Sequence, residues 1–218
     1  QHAPHDGEAP SQRTAVKVIY DDNNLYIAIR AFDDEPGKIV RRMSRRDGFD
    51  GDWVEVNIDS YFDQRTAFSF TASVSGVKGD EAITNNGENW DPTWDPIWYL
   101  ETSVDDQGWI AEMQIPFTQL RFSNNERQVW GLQFMRRFFR KEERSTWQYI
   151  PQKEAGWVHH FGELHGIEGI QPRRQVEIAP YLVTKTKNYL ARPGNPFSDG
   201  RDYGYDMRVD GKFGMTND

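Results

Sequence analysis

The sequence predicts an all-β chain built around an antiparallel β-sandwich, and three observations lead to this fold class. Apolar residues alternate with polar ones over many short segments, turn-forming residues separate these segments at regular spacing, and no amphipathic helical pattern of any length occurs. Such a series of short strands is typical of two antiparallel sheets that pack face to face.

The most regular alternation lies in residues 52–75, and it predicts the long antiparallel pair at the centre of the fold. The residues predicted to face the core are Val54, Val56, Ile58, Phe68, Phe70, Ala72 and Val74. The opposite face presents polar side chains, which are Glu55, Asn57, Thr71 and Ser73. A sheet face of this kind is either hydrated or in contact with a polar ligand, and which of the two applies decides the function.

The segments before this pair begin with an irregular polar lead-in over residues 1–13. A hairpin follows, with strands at 16–20 and 25–29 around the turn formers of 21–24. The basic stretch 39–50 is predicted to be a loop, either simply exposed or facing a ligand.

After the central pair, residues 76–96 are predicted to form a long irregular connection, rich in Gly, Asn, Asp and Trp. A second hairpin is predicted from 98–104 and 109–115, and a tight turn or short helix from 117–122. Strands at 128–140 and 145–150 complete a sandwich that spans residues 14–170.

Residues 171–218 are predicted to start a second, barrel-like domain that is truncated here. The stretches 176–190 and 203–215 each alternate over about ten residues, a pattern that transmembrane β-hairpins share with soluble ones. Both kinds of hairpin fit this pattern. Because the chain opens with Gln1 and stops directly after a predicted strand, we expect a processed or incomplete piece of a longer protein.

Composition excludes several classes of function. The 26 basic and 34 acidic residues give a formal charge of -8, which argues against a protein that neutralises nucleic-acid phosphates. The absence of cysteine excludes thiolate metal sites, disulfides and a cysteine nucleophile. No apolar run approaches the roughly 20 residues of a membrane-spanning helix.

Several motifs in order resemble the family 9 carbohydrate-binding modules. They are VKVIYDDNNLYIAIRAFDDEP, RRDGFDGDWVEVNIDSYFD, AFSFTASVSGVKGD, GWIAEMQIPFTQLRF and FGELHGI. More closely, they are similar to uncharacterised bacterial proteins that place such a module before a predicted outer-membrane β-barrel. The resemblance implies a location in the bacterial cell envelope, either the periplasm or the outer membrane.

The same resemblance implies an antiparallel sandwich that holds the end of a sugar chain between aromatic rings. Carried over by position, the aromatic residue before the central strand is Phe49, the acidic residue on that strand is Glu55, and the later tryptophan is Trp157. Two positions depart from the family pattern. Thr71 stands where the sugar-binding modules have an arginine, and Met135 stands where they have a glutamine.

The sequence itself offers further candidates for ligand-binding residues. Trp90, Trp94 and Trp157 lie in predicted loops, where exposed aromatic faces often mark binding surfaces. Arg45 and Arg46 of the basic loop could donate hydrogen bonds to the ligand. Other tryptophans, Trp53, Trp109 and Trp130, lie in alternating strands and are predicted to be core or rim residues.

The resemblance also implies structural calcium, which binds six to eight oxygen ligands. Asp21, Asp33 and Asp34 are possible ligands, although their spacing matches no defined calcium motif and plain turn residues explain them as well.

We therefore expect a noncatalytic glycan-recognition module. One alternative is a ligand-free periplasmic plug or assembly scaffold of an outer-membrane barrel. Another is a glycoside hydrolase, but the sequence singles out no carboxylate pair for it.

Overall fold

The fold is described by a computed structural model for residues 1–172, 176–188, 194 and 201–213. Its strands pair antiparallel in three sheets. The chain divides into two units, Gln1–Arg173 and Arg174–Asp218. In chain order the strands are β1 (Thr14–Tyr20), β2 (Asn24–Phe32), β3 (Trp53–Asp59), β4 (Ala67–Ser73), β5 (Lys78–Thr84), β6 (Asn89–Asp91), β7 (Tyr99–Asp105), β8 (Gly108–Pro116), β9 (Arg127–Phe138), β10 (Glu143–Thr146), β11 (Gly162–Glu168), β12 (Val176–Asn188) and β13 (Arg201–Phe213).

The smaller sheet of the first unit has the strand order β1-β2-β8-β7 and confirms both predicted hairpins. The β1–β2 turn is held by Asp21, whose Oδ1 accepts hydrogen bonds from the backbone N–H of Asn23 and Asn24. Every second residue of β2 is buried, as the alternation predicts for a strand with one face on the core.

The larger sheet has the order β10-β9-β3-β4-β5-β6, and β11 pairs with part of β9. Side chains from the facing sides of the two sheets fill one apolar core, which confirms the predicted sandwich. Its largest fully buried side chains include Trp98, Trp109, Trp130, Phe70 and Met113. The residues predicted for the core face of the central pair are buried, except Phe68, which packs at its margin.

About half of the predicted irregular connection 76–96 is sheet, so the prediction was wrong for that half. Strand β5 pairs with β4 over Ala67–Ile83 to Ala72–Lys78, and the short β6 pairs with β5. The sequence of β5, KGDEAIT, has only one bulky apolar residue, so it carries no alternating apolar signal. Pairing with an already formed neighbour supplies its hydrogen bonds instead.

The ends of several other elements differ slightly from the predictions. The strand predicted at 145–150 is β10, which ends at Thr146. A three-residue 3₁₀ helix, Phe117–Gln119, confirms the predicted tight turn or short helix. The irregular lead-in is attached to β10 through a bridge between Ala3 and Arg144 and through a hydrogen bond from the Ser11 N–H to Glu143 Oε1.

Buried charged groups join the two sheets near the end of β2. The guanidinium of Arg136, on β9, donates hydrogen bonds to the backbone oxygens of Arg13, which precedes β1, and Phe32, at the end of β2. Beside it, Asp33 accepts two hydrogen bonds from Arg140, at 2.5 and 2.6 Å. Burial raises the pKa of Asp33, but the bonds from Arg140 outweigh that effect and hold the pKa below its usual value.

The second unit is the antiparallel hairpin of β12 and β13, paired from Val176–Phe213 to Asn188–Arg201. The hairpin was predicted at 176–190 and 203–215, and residues 189–190 and 214–215 lie outside the described residues. Its assignment to an outer-membrane barrel stays a prediction from sequence. Among the described residues, no helix reaches the length and hydrophobicity needed to span a bilayer.

Candidate functional site

The face of the larger sheet that points away from the core, called here the outer face, carries a cavity of about 660 Å³. Its floor is a row of directly paired residues across four strands. From β9 to β5 these are Met135, Glu55, Thr71 and Gly79. Directly paired residues point to the same side of a sheet, so the row forms one continuous surface.

Glu55 is the polar centre of this floor. Its Oε1 accepts a hydrogen bond of 2.7 Å from Asn57 Nδ2, and its Oε2 accepts one of 3.0 Å from Thr71 Oγ1. Burial raises the pKa of Glu55, while these two hydrogen bonds lower it, and the net result is a pKa above the usual value. The polar face of the central pair was predicted to be either hydrated or in contact with a ligand. In the structure its side chains are buried beneath covering loops. Hydrogen bonds hold the two oxygens of Glu55 in place.

Phe49 forms one wall of the cavity and lies directly over Gly79. A Cβ atom at Gly79 would come within 2.5 Å of Phe49 Cζ, so only glycine leaves room for this ring. The loop that carries Phe49 is tied to β5, because the N–H of Asp47 donates to Lys78 O and the N–H of Asp80 donates to Asp47 Oδ1. Trp53 lies next to Phe49, with ring centroids 6.4 Å apart.

Trp157 and Trp90 form the other wall. The backbone N–H of Trp157 donates to Asn86 O at 2.8 Å, and its indole Nε1 donates to Asn57 Oδ1 at 3.4 Å. Gly87, with φ of +95°, lies so close that a Cβ atom there would be 2.5 Å from Trp157 Cβ. The indole of Trp90 donates to Gly87 O, and the two tryptophan rings are 6.2 Å apart.

The structure thus brings together the three residues that the resemblance named. Phe49, Glu55 and Trp157 all line this one cavity. Thr71 and Met135, the two departures from the family pattern, line it as well, so both changes alter the site itself.

Trp94 lies elsewhere. Its ring packs 4.7 Å from Phe68 and 5.5 Å from Phe70, at the margin of the core. It does not line the cavity, and its loop-like sequence context hid this packing role.

Arg45 and Arg46 do not line the cavity either. Arg46 forms ion pairs of 2.6 Å with both Asp80 and Asp95, so it fastens the basic loop to β5. Arg45 is exposed.

Several residues that line the cavity were not in the predicted site, among them Trp53, Trp90, Glu81 and Arg144. Trp53 was assigned to the core or its rim, and Trp90 was a loop candidate that was not carried into the predicted site. No sequence pattern indicates that Arg144 lines a cavity, because its position opposite Arg137 in the β9–β10 pair follows only from the fold.

The calcium candidates do not form a site together. Both carboxylate oxygens of Asp33 bind Arg140, Asp21 holds the β1–β2 turn, and Asp34 accepts a hydrogen bond from Gln12. Within the described residues, no group of three or more His, Asp or Glu converges as metal ligands.

A second cavity, of about 820 Å³, lies between the edge strand β1 and strand β9. Its walls are mainly apolar and include Val16, Val18, Phe134 and Leu164. Because it lacks a floor of fixed acceptors between aromatic faces, the outer-face cavity is the better candidate for a polar ligand.

Comparisons with known proteins identify the family and the fold of this chain. The family model described as "Carbohydrate family 9 binding domain-like" matches residues 4–154. A comparison with curated proteins found no match.

Solved structures share the fold at low sequence identity. A family 9 carbohydrate-binding module from Caldicellulosiruptor kristjanssonii in complex with glucose has 17% identity and a TM-score of 0.51, over 77% of this chain and 81% of that one. The same kind of module in complex with cellotriose has 17% identity and a TM-score of 0.51, over 77% and 79%. A putative carbohydrate-binding protein from Bacteroides uniformis has 12% identity and a TM-score of 0.57, over 71% and 78%.

Proposed function

Because this chain belongs to the carbohydrate family 9 binding domain-like family, we propose that its outer-face cavity is a noncatalytic glycan-binding site in which a sugar ring stacks on aromatic side chains. The observation that carries the proposal is that Phe49 and Trp157 line the same cavity as the hydrogen-bonded carboxylate of Glu55. Sugars need both kinds of contact, because their C–H faces pack on aromatic rings and their hydroxyls require hydrogen-bond partners.

The size and character of the cavity fit a small glycan. Its volume of about 660 Å³ lies within the range of roughly 300–1,000 Å³ that is usual for small-molecule sites. Trp53 and Trp90 extend the aromatic surface, so more than one ring of an oligosaccharide can find a stacking partner.

The carboxylates of the cavity favour binding over hydrolysis. Both oxygens of Glu55 accept hydrogen bonds from Asn57 and Thr71, and Asp80 is engaged by Arg46 and by the indole of Trp98. Hydrolysis of a glycosidic bond needs two carboxyl groups that are available on opposite sides of that bond. Glu55 and Asp80, two of the carboxylates that line the cavity, already have structural partners.

Calorimetric titration with glucose, cellotriose and xylotriose tests the proposal. We expect binding by at least one of them, and Trp157→Ala should weaken it by about tenfold or more, equivalent to about 1.4 kcal/mol. Trp147→Ala is the matched control, since Trp147 is 52% exposed and does not line this cavity.

The absence of binding to every neutral sugar tried would contradict the proposal. It would favour the alternative of a ligand-free plug or scaffold in a bacterial envelope protein. Release of reducing ends from an oligosaccharide by the purified protein would contradict the noncatalytic role.

A further inference from the structure

The outer-face cavity contains more carboxylates than cations. Asp47, Glu55, Asp80 and Glu81 line it, whereas Arg144 is the one arginine or lysine among its described lining residues. A cavity with this balance repels an anionic ligand and attracts a cationic one.

Internal partners account for three of the four carboxylates. Glu55 accepts hydrogen bonds from Asn57 and Thr71, and Asp80 forms an ion pair of 2.6 Å with Arg46. Asp47 accepts a hydrogen bond from the backbone of β5. Glu81 differs from these three, because the described part of the chain offers its carboxylate neither a hydrogen-bond donor nor an ion-pair partner.

Arg144 lies too far across the sheet to neutralise Glu81. It is on β10 and Glu81 is on β5, with β9, β3 and β4 between them. At about 4.8 Å per strand, the two positions are roughly 19 Å apart. Burial raises the pKa of Glu81, and the nearby charges of Asp47 and Asp80 raise it further, as expected for a carboxylate without a counter-ion.

A second polar group near Glu81 also lacks a partner. Ser69 lies directly opposite Glu81 in the β4–β5 pair and therefore on the same face of the sheet. Ser69 is fully buried, and its Oγ has no hydrogen-bond partner among the described residues. Buried hydroxyls are normally hydrogen-bonded, so the sheet around Glu81 holds a second unpaired polar group, although Ser69 itself does not line the cavity.

We propose that the cavity selects glycans that carry a free amino group, such as glucosamine oligomers, with the sugar ammonium group bound at Glu81 and with uronic acids excluded. This inference rests on the proposed function and adds the ligand class. An ammonium group donates three hydrogen bonds from a compact charge, so the two oxygens of the Glu81 carboxylate can accept two of them. A metal ion would need more ligands than the described residues bring together here.

The test compares four tetrasaccharides by calorimetry at mildly acidic pH, at which the amino groups of the glucosamine tetramer are protonated. They are the fully deacetylated glucosamine tetramer, its N-acetylated form, cellotetraose and tetragalacturonate. We expect the glucosamine tetramer to bind about fivefold or more tightly than cellotetraose, the size of effect that one partly exposed charge pair supplies. Tetragalacturonate should bind more weakly than either, and added salt should weaken only the glucosamine tetramer.

Substitution of Glu81 identifies the residue responsible. Glu81→Gln should remove the preference for the glucosamine tetramer over cellotetraose, because it keeps the shape of the side chain and removes only its charge. Glu112→Gln is the matched control, since Glu112 is an exposed residue of β8 in the other sheet and should change neither affinity.

The outcomes separate this inference from the function on which it rests. If cellotetraose binds and the glucosamine tetramer binds no more tightly, or if Glu81→Gln keeps the preference, the inference is overturned and the glycan site stands. If none of the four sugars binds, both fail. Binding of calcium alone, in titrations without sugar and lost in Glu81→Gln, would overturn the inference in favour of a metal ligand.

Discussion

The hydroxyl of Thr71 donates a hydrogen bond of 3.0 Å to the buried carboxylate of Glu55. This contact lies in the floor of the cavity, at a position where the sugar-binding modules that the sequence resembles have an arginine. Threonine completes the hydrogen bonding of Glu55 without adding a positive charge. As a result, the floor keeps an acceptor in a fixed orientation, and Arg144 approaches the same cavity from β10.

Thr71→Val should destabilise the fold because it leaves Glu55 Oε2 without its donor. We expect a loss of about 1–3 kcal/mol in the free energy of unfolding, measured by urea denaturation. Thr84→Val is the control, since Thr84 is exposed at the end of β5 and its replacement should cost less than about 0.5 kcal/mol. Equal free energies of unfolding for the two variants would show that the contact with Glu55 contributes no net stability.

Gly79→Ala should weaken sugar binding while the fold persists. The new methyl group would lie 2.5 Å from Phe49 Cζ, and the ring at the end of its side chain can move away from the wall of the cavity. We expect about tenfold weaker binding by calorimetry, equivalent to about 1.4 kcal/mol. Gly37→Ala adds the same atom where no other atom lies within 4 Å and should leave binding unchanged. Unchanged affinity in Gly79→Ala would exclude Phe49 from the binding surface.

Trp94→Ala and Trp157→Ala should have opposite effects. Trp94 packs on Phe68 and Phe70, so its loss should lower the free energy of unfolding by about 3 kcal/mol and leave sugar affinity unchanged. Trp157→Ala should mainly reduce affinity. Thermal denaturation and calorimetry on both variants check this, and a loss of sugar affinity in folded Trp94→Ala would place that ring in the site.

Acidic pH should lower the free energy of unfolding of the first unit, because Asp33 becomes protonated. The pKa of this carboxylate is lower in the folded chain than its usual value of 3.8. A group of this kind contributes stability above the unfolded pKa and loses that contribution as the pH falls through the folded pKa. We therefore expect the free energy of unfolding to fall as the pH drops below about 4, measured by denaturation between about pH 2 and pH 7.

Asp33→Asn provides the test of that assignment. It should cost about 3 kcal/mol near neutral pH, because Arg140 loses its charged partner, and it should flatten the decline in acid. An unchanged acid decline in Asp33→Asn would assign the effect to other carboxylates.

Much of the fold could be predicted from local patterns. In β2 and β8 the apolar side chains alternate and one face packs on the core, so the period of the sequence matches the burial in the structure. Strand β5 could not be found in this way, because KGDEAIT has almost no apolar face and forms a strand only by pairing with β4.

The candidate site was predicted in part. Phe49, Glu55 and Trp157 were identified from motifs, since each stands at a fixed position relative to a recognisable strand. Trp90 and Trp94 could not be told apart, because both are tryptophans among Asn, Asp and Pro residues. Only packing shows that one lines the cavity and the other covers the core.

The sequence by itself determined two layers of alternating strands, the central pair and the presence of unusual polar residues on that pair, because each of these depends on neighbours in the chain. The tertiary structure decided that the polar face is buried and that Arg144 reaches it from a strand 89 residues beyond Glu55. It also left Glu81 without a counter-ion among the residues that the structure describes. Charge balance and burial depend on groups that are far apart in the chain and meet only when the strands pair, so no local pattern records them.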